Sequence, residues 1–141
     1  MKRMASVTTA IFLWKDAYNL GIPEMDQQHQ GLVRILNALH ASMSKGSPRE
    51  SLEMVLRDLI AYTERHFKCE EQLMVRRGYS GLKAHQAEHQ KLTKEVHDLR
   101  DRLHAGKIMV SLDTMNFLKS WLTNHIMCHD KAYAKELAGA V

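Results

Sequence analysis

Two short spacings carry chemistry in this chain. His66-x-x-x-Glu70 and His85-x-x-x-His89 each hold a pair of donor side chains four residues apart. On an α-helix that spacing puts both on one face, about a turn from each other, where they can point at a common centre. His29 and His125 stand singly on other segments. All six interrupt runs in which Leu, Met and Val recur at steps of three and four, so each belongs to a face meant for burial. A carboxylate or imidazolium taken out of water costs several kcal/mol unless it is paired or bound to a metal. Metal ligation answers that cost. Either motif alone is commonly incidental; what matters is whether the fold brings them together.

The elements that must do so can be read from the same rhythm. One seam runs Met25, His29, Leu32, Leu36, Leu39, Met43, and a second Leu52, Leu56, Leu59, Thr63, His66, Glu70, Leu73. A third runs Leu82, His85, His89, Leu92, Val96, Leu99, Leu103, and a fourth Met115, Leu118, Leu122, His125, His129. Glycine-containing breaks at Lys45-Gly46-Ser47-Pro48, Arg77-Gly78-Tyr79-Ser80-Gly81 and Ala105-Gly106-Lys107 separate them. The spacing predicts an all-α, antiparallel, up-down-up-down four-helix bundle, a single domain with an arm over about 1–22 and helices over about 23–44, 48–76, 82–104 and 110–136. Pro23 and Glu24 suit the start of the first helix, and for the second Ser47 is expected to cap, Pro48 to take the first helical position and Glu50 to close a capping box. In such a bundle the beginnings of the first and third helices lie beside the ends of the second and fourth. His29, His66, Glu70, His85, His89 and His125 then share one layer, which unrelated core histidines have no reason to do. His40, His97 and His104 fall off the seams and are expected to face solvent.

Composition narrows the remaining classes. With 141 residues and two Cys, Cys69 and Cys128, in no paired motif, neither a disulfide framework nor a zinc-cysteine site is indicated, and a reducing cytoplasmic location is expected. The basic start followed by a short apolar run interrupted by Thr8 and Thr9 reads as an arm rather than a signal peptide, and no stretch has the roughly 20 apolar residues of a membrane span. The net charge of +4 is spread among acids, so no nucleic-acid partner is expected.

At the fourth helix spacing leaves a choice open. His129 follows His125 by four residues and shares its face, whereas Asp130 is rotated well off that face in an α-helix. A carboxylate is wanted, because neutral imidazoles and one Glu compensate two divalent ions poorly.

The blocks Gly21-Ile22-Pro23-Glu24-Met25-Asp26-Gln27-Gln28-His29, His66-Phe67-Lys68-Cys69-Glu70-Glu71-Gln72-Leu73-Met74, His85-Gln86-Ala87-Glu88-His89 and His125-Ile126-Met127-Cys128-His129-Asp130, with Trp14 in the arm, resemble the hemerythrin family, in particular its single-domain bacterial members. The resemblance runs almost end to end. It implies a centre of two iron ions (Fe2+/Fe3+) with an oxo or hydroxo bridge: His85, His89 and His125 on one iron, His29 and His66 on the other, Glu70 and Asp130 bridging, and an open position on the second iron. Asp130 rather than His129 is the family's choice. Ser80 stands where many relatives have proline. The activity implied is reversible binding of dioxygen by the diferrous form, without enzymatic turnover, and small anions such as azide are expected in the diferric state. Phe67, Met74, Leu122 and Ile126 flank the ligand positions and are candidates for an apolar oxygen pocket. A di-iron enzyme acting on peroxide, nitric oxide or ferrous iron, and an oxygen or iron sensor, are the competing readings; the lack of an output domain speaks against the sensor, and Cys69 beside Glu70 leaves it a redox handle.

Replacing Glu70 by Ala should reduce iron loading far more than replacing His97 by Ala, as elemental analysis of the purified variants would show; equal iron content would contradict the seam assignment.

Overall fold

A computed structural model describes residues 11–107 and 111–139, with the side chains of 127–129 and 138–139 outside that description. His129, Cys128 and the first ten residues of the arm, on which sequence expectations were placed, therefore lie outside it in whole or in side chain.

Five helices form among the described residues: α1 Pro23–Ser44, α2 Arg49–Arg77, α3 Leu82–His104, α4 Leu112–Asn124 and α5 Lys131–Gly139. A π-helical turn, His125–Asp130, joins the last two into one rod, so the architecture is a four-helix bundle. Its antiparallel order follows from the side chains that meet: the start of α1 (His29) and the start of α3 (His85, His89) lie against the end of α2 (Glu70) and the end of the last rod (Asp130).

The breaks between helices share one construction. At the end of α1 the N–H of Gly46 donates to Met43 O and that of Ser47 to Ser42 O, and the same pair of bonds recurs at Gly78 and Tyr79 and at Gly106 and Lys107. This closure needs a left-handed residue after the helix, and Gly46, Gly78 and Gly106 supply it with φ of 74°, 66° and 75°. It also overturns the expected capping box. Ser47 is committed to the end of α1, and Pro48, extended at φ −61° and ψ 156°, flanks α2 rather than opening it, with no side-chain cap; its carbonyl receives the N–H groups of Ser51 and Leu52. Pro23 does take the first turn of α1. Ser111, which the sequence reading passed over, caps α4 by accepting from the N–H of Thr114 at 3.4 Å.

The arm is pinned rather than merely laid on the surface. Phe12 is buried in the main core, and its N–H and C=O both pair with the Asn37 amide at 3.0 Å. The chain then enters α1 through Asp26, whose carboxylate receives the N–H of Leu20 at 2.7 Å and of Gly21 at 3.2 Å. Ser80, the departure from the family pattern, gives its N–H (2.8 Å) and its hydroxyl to the Glu136 carboxylate on α5. Proline has no N–H and could not make that tie.

The core has two parts. Leu32, Leu36, Leu56, Leu59, Val96, Leu118 and Leu122 belong to the larger, and Met25, Leu73, Met74, Tyr133 and Leu137 form a smaller one nearer the bundle's end. Between them along every rod lies the polar layer: Met25, His29, Leu32 on α1; Phe67, Glu70, Leu73 on α2; Leu82, His85, His89, Leu92 on α3; Ile126, Asp130, Tyr133 on the last rod. Leu118→Ala, at a side chain with 0% exposure, should cost about 2–5 kcal/mol in chemical denaturation, whereas Met54→Ala, 63% exposed, should stay within about 0.5 kcal/mol.

Candidate metal centre

The polar layer is built from eight buried groups, of which seven converge: His29, His66, Glu70, His85, His89, His125 and Asp130, each between 0% and 3% exposed. Their donor atoms form two clusters with Glu70 and Asp130 in both, one completed by His85, His89 and His125 and the other by His29 and His66, and within each cluster the atoms lie within 4.8 Å of one another. The eighth, Thr63, stays outside them.

The oxygens of the two carboxylates divide between the clusters. Glu70 Oε1 lies 2.9 Å from His89 Nε2, 3.1 Å from His85 Nε2 and 3.6 Å from His125 Nε2, while Oε2 lies 3.4 Å from His29 Nε2 and 3.3 Å from His66 Nε2. Asp130 repeats the pattern: Oδ1 is 3.0 Å from both His85 and His125, and Oδ2 is 2.8 Å from His29. The approaches of His85 Nε2 and His89 Nε2 to Glu70 Oε1 are hydrogen bonds, but distance alone does not make the others so. His29 Nε2, His66 Nε2 and both Asp130 oxygens are buried without a hydrogen bond of acceptable angle, so lone pairs face a shared space rather than one another. Five imidazoles and two carboxylates arranged so are a donor set that suits cations of intermediate softness such as iron.

Electrostatics point the same way. Burial works against charge on His29, yet the Asp130 and Glu70 carboxylates outweigh it and raise its pKa to about 9; His125 is likewise raised to about 10, and His85 is raised. His66 goes the other way, burial prevailing over Glu70. Glu70 and Asp130, despite burial, are held below the usual carboxylate range by the imidazoles. The carboxylates thus favour the charged form of three of the imidazoles around them, and metal binding at such a site would displace protons.

The π-helical turn brings Asp130 into the layer, while the side chain of His129 lies outside the described residues. In an α-helix, residues five apart are rotated by about 140°, which is why Asp130 was expected off the His125 face. Here the N–H of Lys131 donates to Ile126 O, five residues back. That widened turn stacks residues five apart and delivers the Asp130 carboxylate beside His125. Only the hydrogen-bond pattern reveals this.

Residues 20–137 match the family model for the hemerythrin HHE cation binding domain. The chain is 36% identical over 128 residues to the bacteriohemerythrin of Stenotrophomonas maltophilia, a match spanning 91% of this chain and 82% of that one. It is 38% identical over 125 residues to the bacteriohemerythrin of Methylococcus capsulatus, spanning 88% and 95%. The crystal structure of a wild-type hemerythrin superposes with a TM-score of 0.84 at 37% identity, covering 92% and 99% of the two chains. The chain belongs to the hemerythrin family. Hemerythrins bind non-haem iron and dioxygen, and no described helix of this one is long and apolar enough to cross a membrane.

Around its seven converging groups this hemerythrin places three side chains that sequence reasoning missed. Tyr133, fully buried, donates its hydroxyl to Glu70 Oε2 at 3.1 Å, and burial together with the Glu70 charge keeps the phenol neutral by raising its pKa. Glu71 Oε2 lies 2.6 Å from His89 Nδ1, and Gln28 Oε1 lies 2.6 Å from His66 Nδ1. Gln28 and Glu71 each adjoin a ligand candidate in sequence, and Tyr133 follows Asp130 by three; adjacency was the available signal.

The apolar candidates separate. Phe67 stacks on the His89 ring, centroids 3.8 Å apart and planes 5° apart, and shares the larger core with Leu122 and Ile126. Met74 belongs to the smaller core on the other side of the layer, so it does not join the same pocket. Among the off-seam histidines His104 is 81% exposed and faces Glu53, but His97 is 35% exposed against Glu64, and His40 is half-buried with Nδ1 shielded, so the expectation of solvent-facing rings holds fully only for His104.

Asp130→Ala should lower iron content far more than His129→Ala. The reverse order in elemental analysis would remove Asp130 from the centre.

Proposed function

We propose that this hemerythrin binds dioxygen reversibly at a pair of irons bridged by Glu70 and Asp130. The observation that carries the reading is the division of each carboxylate's oxygens between a three-histidine and a two-histidine cluster. A carboxylate whose two oxygens face two separate donor clusters is placed to be shared between two ions. With an oxo or hydroxo group shared between them, His85, His89 and His125 would hold one iron and His29 and His66 the other, which would have one protein ligand fewer and so an open position. A pair of ferrous ions held by these residues would supply the two electrons that reversible dioxygen binding needs.

The residues shape that chemistry toward carriage rather than oxidation. Five imidazoles bring no negative charge, so high-valent states are less stabilised than among carboxylates, and turnover as an enzyme is disfavoured. Tyr133 holds the bridging carboxylate of Glu70 in place through its hydroxyl. Phe67, Leu122 and Ile126, each at most 5% exposed, keep water from the site and so limit loss of the bound ligand. Azide and similar small anions fit the same open position in the diferric state.

Purified protein should carry about two irons per chain and little zinc, since seven ligands exceed what one tetrahedral zinc accepts; a single zinc would defeat the reading. The reduced protein should gain a visible absorption band in oxygen and lose it when oxygen is swept out, over repeated cycles. Leu122→Ala should admit water, shorten the life of the oxygenated form and speed azide exchange, whereas His104→Ala should match the parent. Equal decay of the visible band in both variants would reduce Leu122 to packing.

A further inference from the structure

The imidazoles of the two clusters are backed by unlike partners. With Nε2 turned to the centre, His89 and His66 carry their ring protons on Nδ1 and donate them outward. His89 donates to the carboxylate of Glu71 and His66 to the neutral amide of Gln28, both at 2.6 Å. The geometry matches and the charge differs. Glu71 is 27% exposed, so water reaches it and its charge is not of the costly fully buried kind. Gln28 is held from behind, its main-chain carbonyl receiving the Tyr62 hydroxyl at 3.0 Å, and Tyr62 reaches it across Gly31, where any Cβ would fall 2.0 Å from the phenol oxygen.

A charged acceptor draws the Nδ1 proton and makes the opposite nitrogen a stronger donor to a metal, whereas a neutral amide does so weakly. We propose that Glu71 and Gln28 act as electronic positioning residues that make the two metal positions unequal: Glu71 strengthens His89 and favours the ferric state on the three-histidine side, while Gln28 leaves His66 a weaker donor and favours the ferrous state on the two-histidine side. This rests on the di-iron reading above. It gives the position with the open site the weaker hold on the oxidised state, which favours return of the electrons and release of oxygen.

The test exchanges charge while conserving shape. Glu71→Gln and Gln28→Glu both keep an acceptor for the ring proton. The full-length iron-loaded parent and variants would be compared for iron content and, by spectroelectrochemistry, for the potential of each one-electron step. Glu71→Gln should lower the ferric-to-ferrous ratio at a fixed potential about tenfold, close to 59 mV for one electron, and Gln28→Glu should raise it about as much. Mössbauer spectra of the one-electron-reduced parent, compared with those of the double variant, should show the ferrous ion changing sides. Potentials that do not move, or move in the same direction, overturn the assignment. So does loss of iron from Glu71→Gln with the helical fold intact, which would make Glu71 only a steric support for His89. A parent chain that loads fewer than two irons overturns the di-iron reading itself, and the assignment with it.

Discussion

Two carboxylates with no exposed surface, Glu70 and Asp130, lie inside a bundle whose other contacts are mainly apolar, and the rest of the fold is arranged around that burial. An unpaired buried carboxylate would sooner take up a proton than keep its charge. Here five imidazoles surround the pair, and every helical rod contributes at least one member of the layer. Apolar packing is nondirectional and tolerates sliding. A layer in which one carboxylate faces donors from all the rods does not, so it sets the register of the helices as well as the site.

The layer is protected from both ends. The larger core closes it on one side with Phe67, Leu122 and Ile126, and the smaller closes it on the other with Met25, Met74 and Tyr133. The two differ in kind. On the larger side, aromatic and aliphatic surface lies directly against the imidazoles, as in the Phe67–His89 stack. On the smaller side Tyr133 reaches in with a hydroxyl to Glu70. One face presents apolar surface to the layer and the other a hydrogen bond to one of its carboxylates. The Ser80 tie to Glu136 and the Asp26 junction secure the loops over that second face.

Departure from regular geometry is concentrated where the chemistry needs it. α1, α2 and α3 run without interruption and end in the same glycine closure. The last rod alone changes its turn, at His125–Asp130. A π-helical turn is poorer than an α-helical one and persists where something rewards it. The reward is a carboxylate on the imidazole face without losing the rod's direction.

The sequence by itself determined the fold class, the level of the layer and most of its members. Helical burial follows a short period, so a polar residue on an apolar seam such as His29 or Glu70 announces itself without coordinates. It determined the family as well, because four motif blocks in order are specific. What it left to tertiary structure depends on contacts between segments or on small changes of turn. By α-helical spacing Asp130 pointed away, and only the widened turn turned it inward. Ser47 had the right type to cap α2, but its N–H, which a capping box would turn to Glu50, is taken by Ser42 O, and extended Pro48 stands at the cap position instead. Gln28, Glu71 and Tyr133 look like ordinary neighbours of ligand candidates, since nothing in their local sequence says which ring or carboxylate another helix will bring within reach. A helix's own period fixes which of its faces is buried, while the identity of the partner across the interface is a property of the packed bundle.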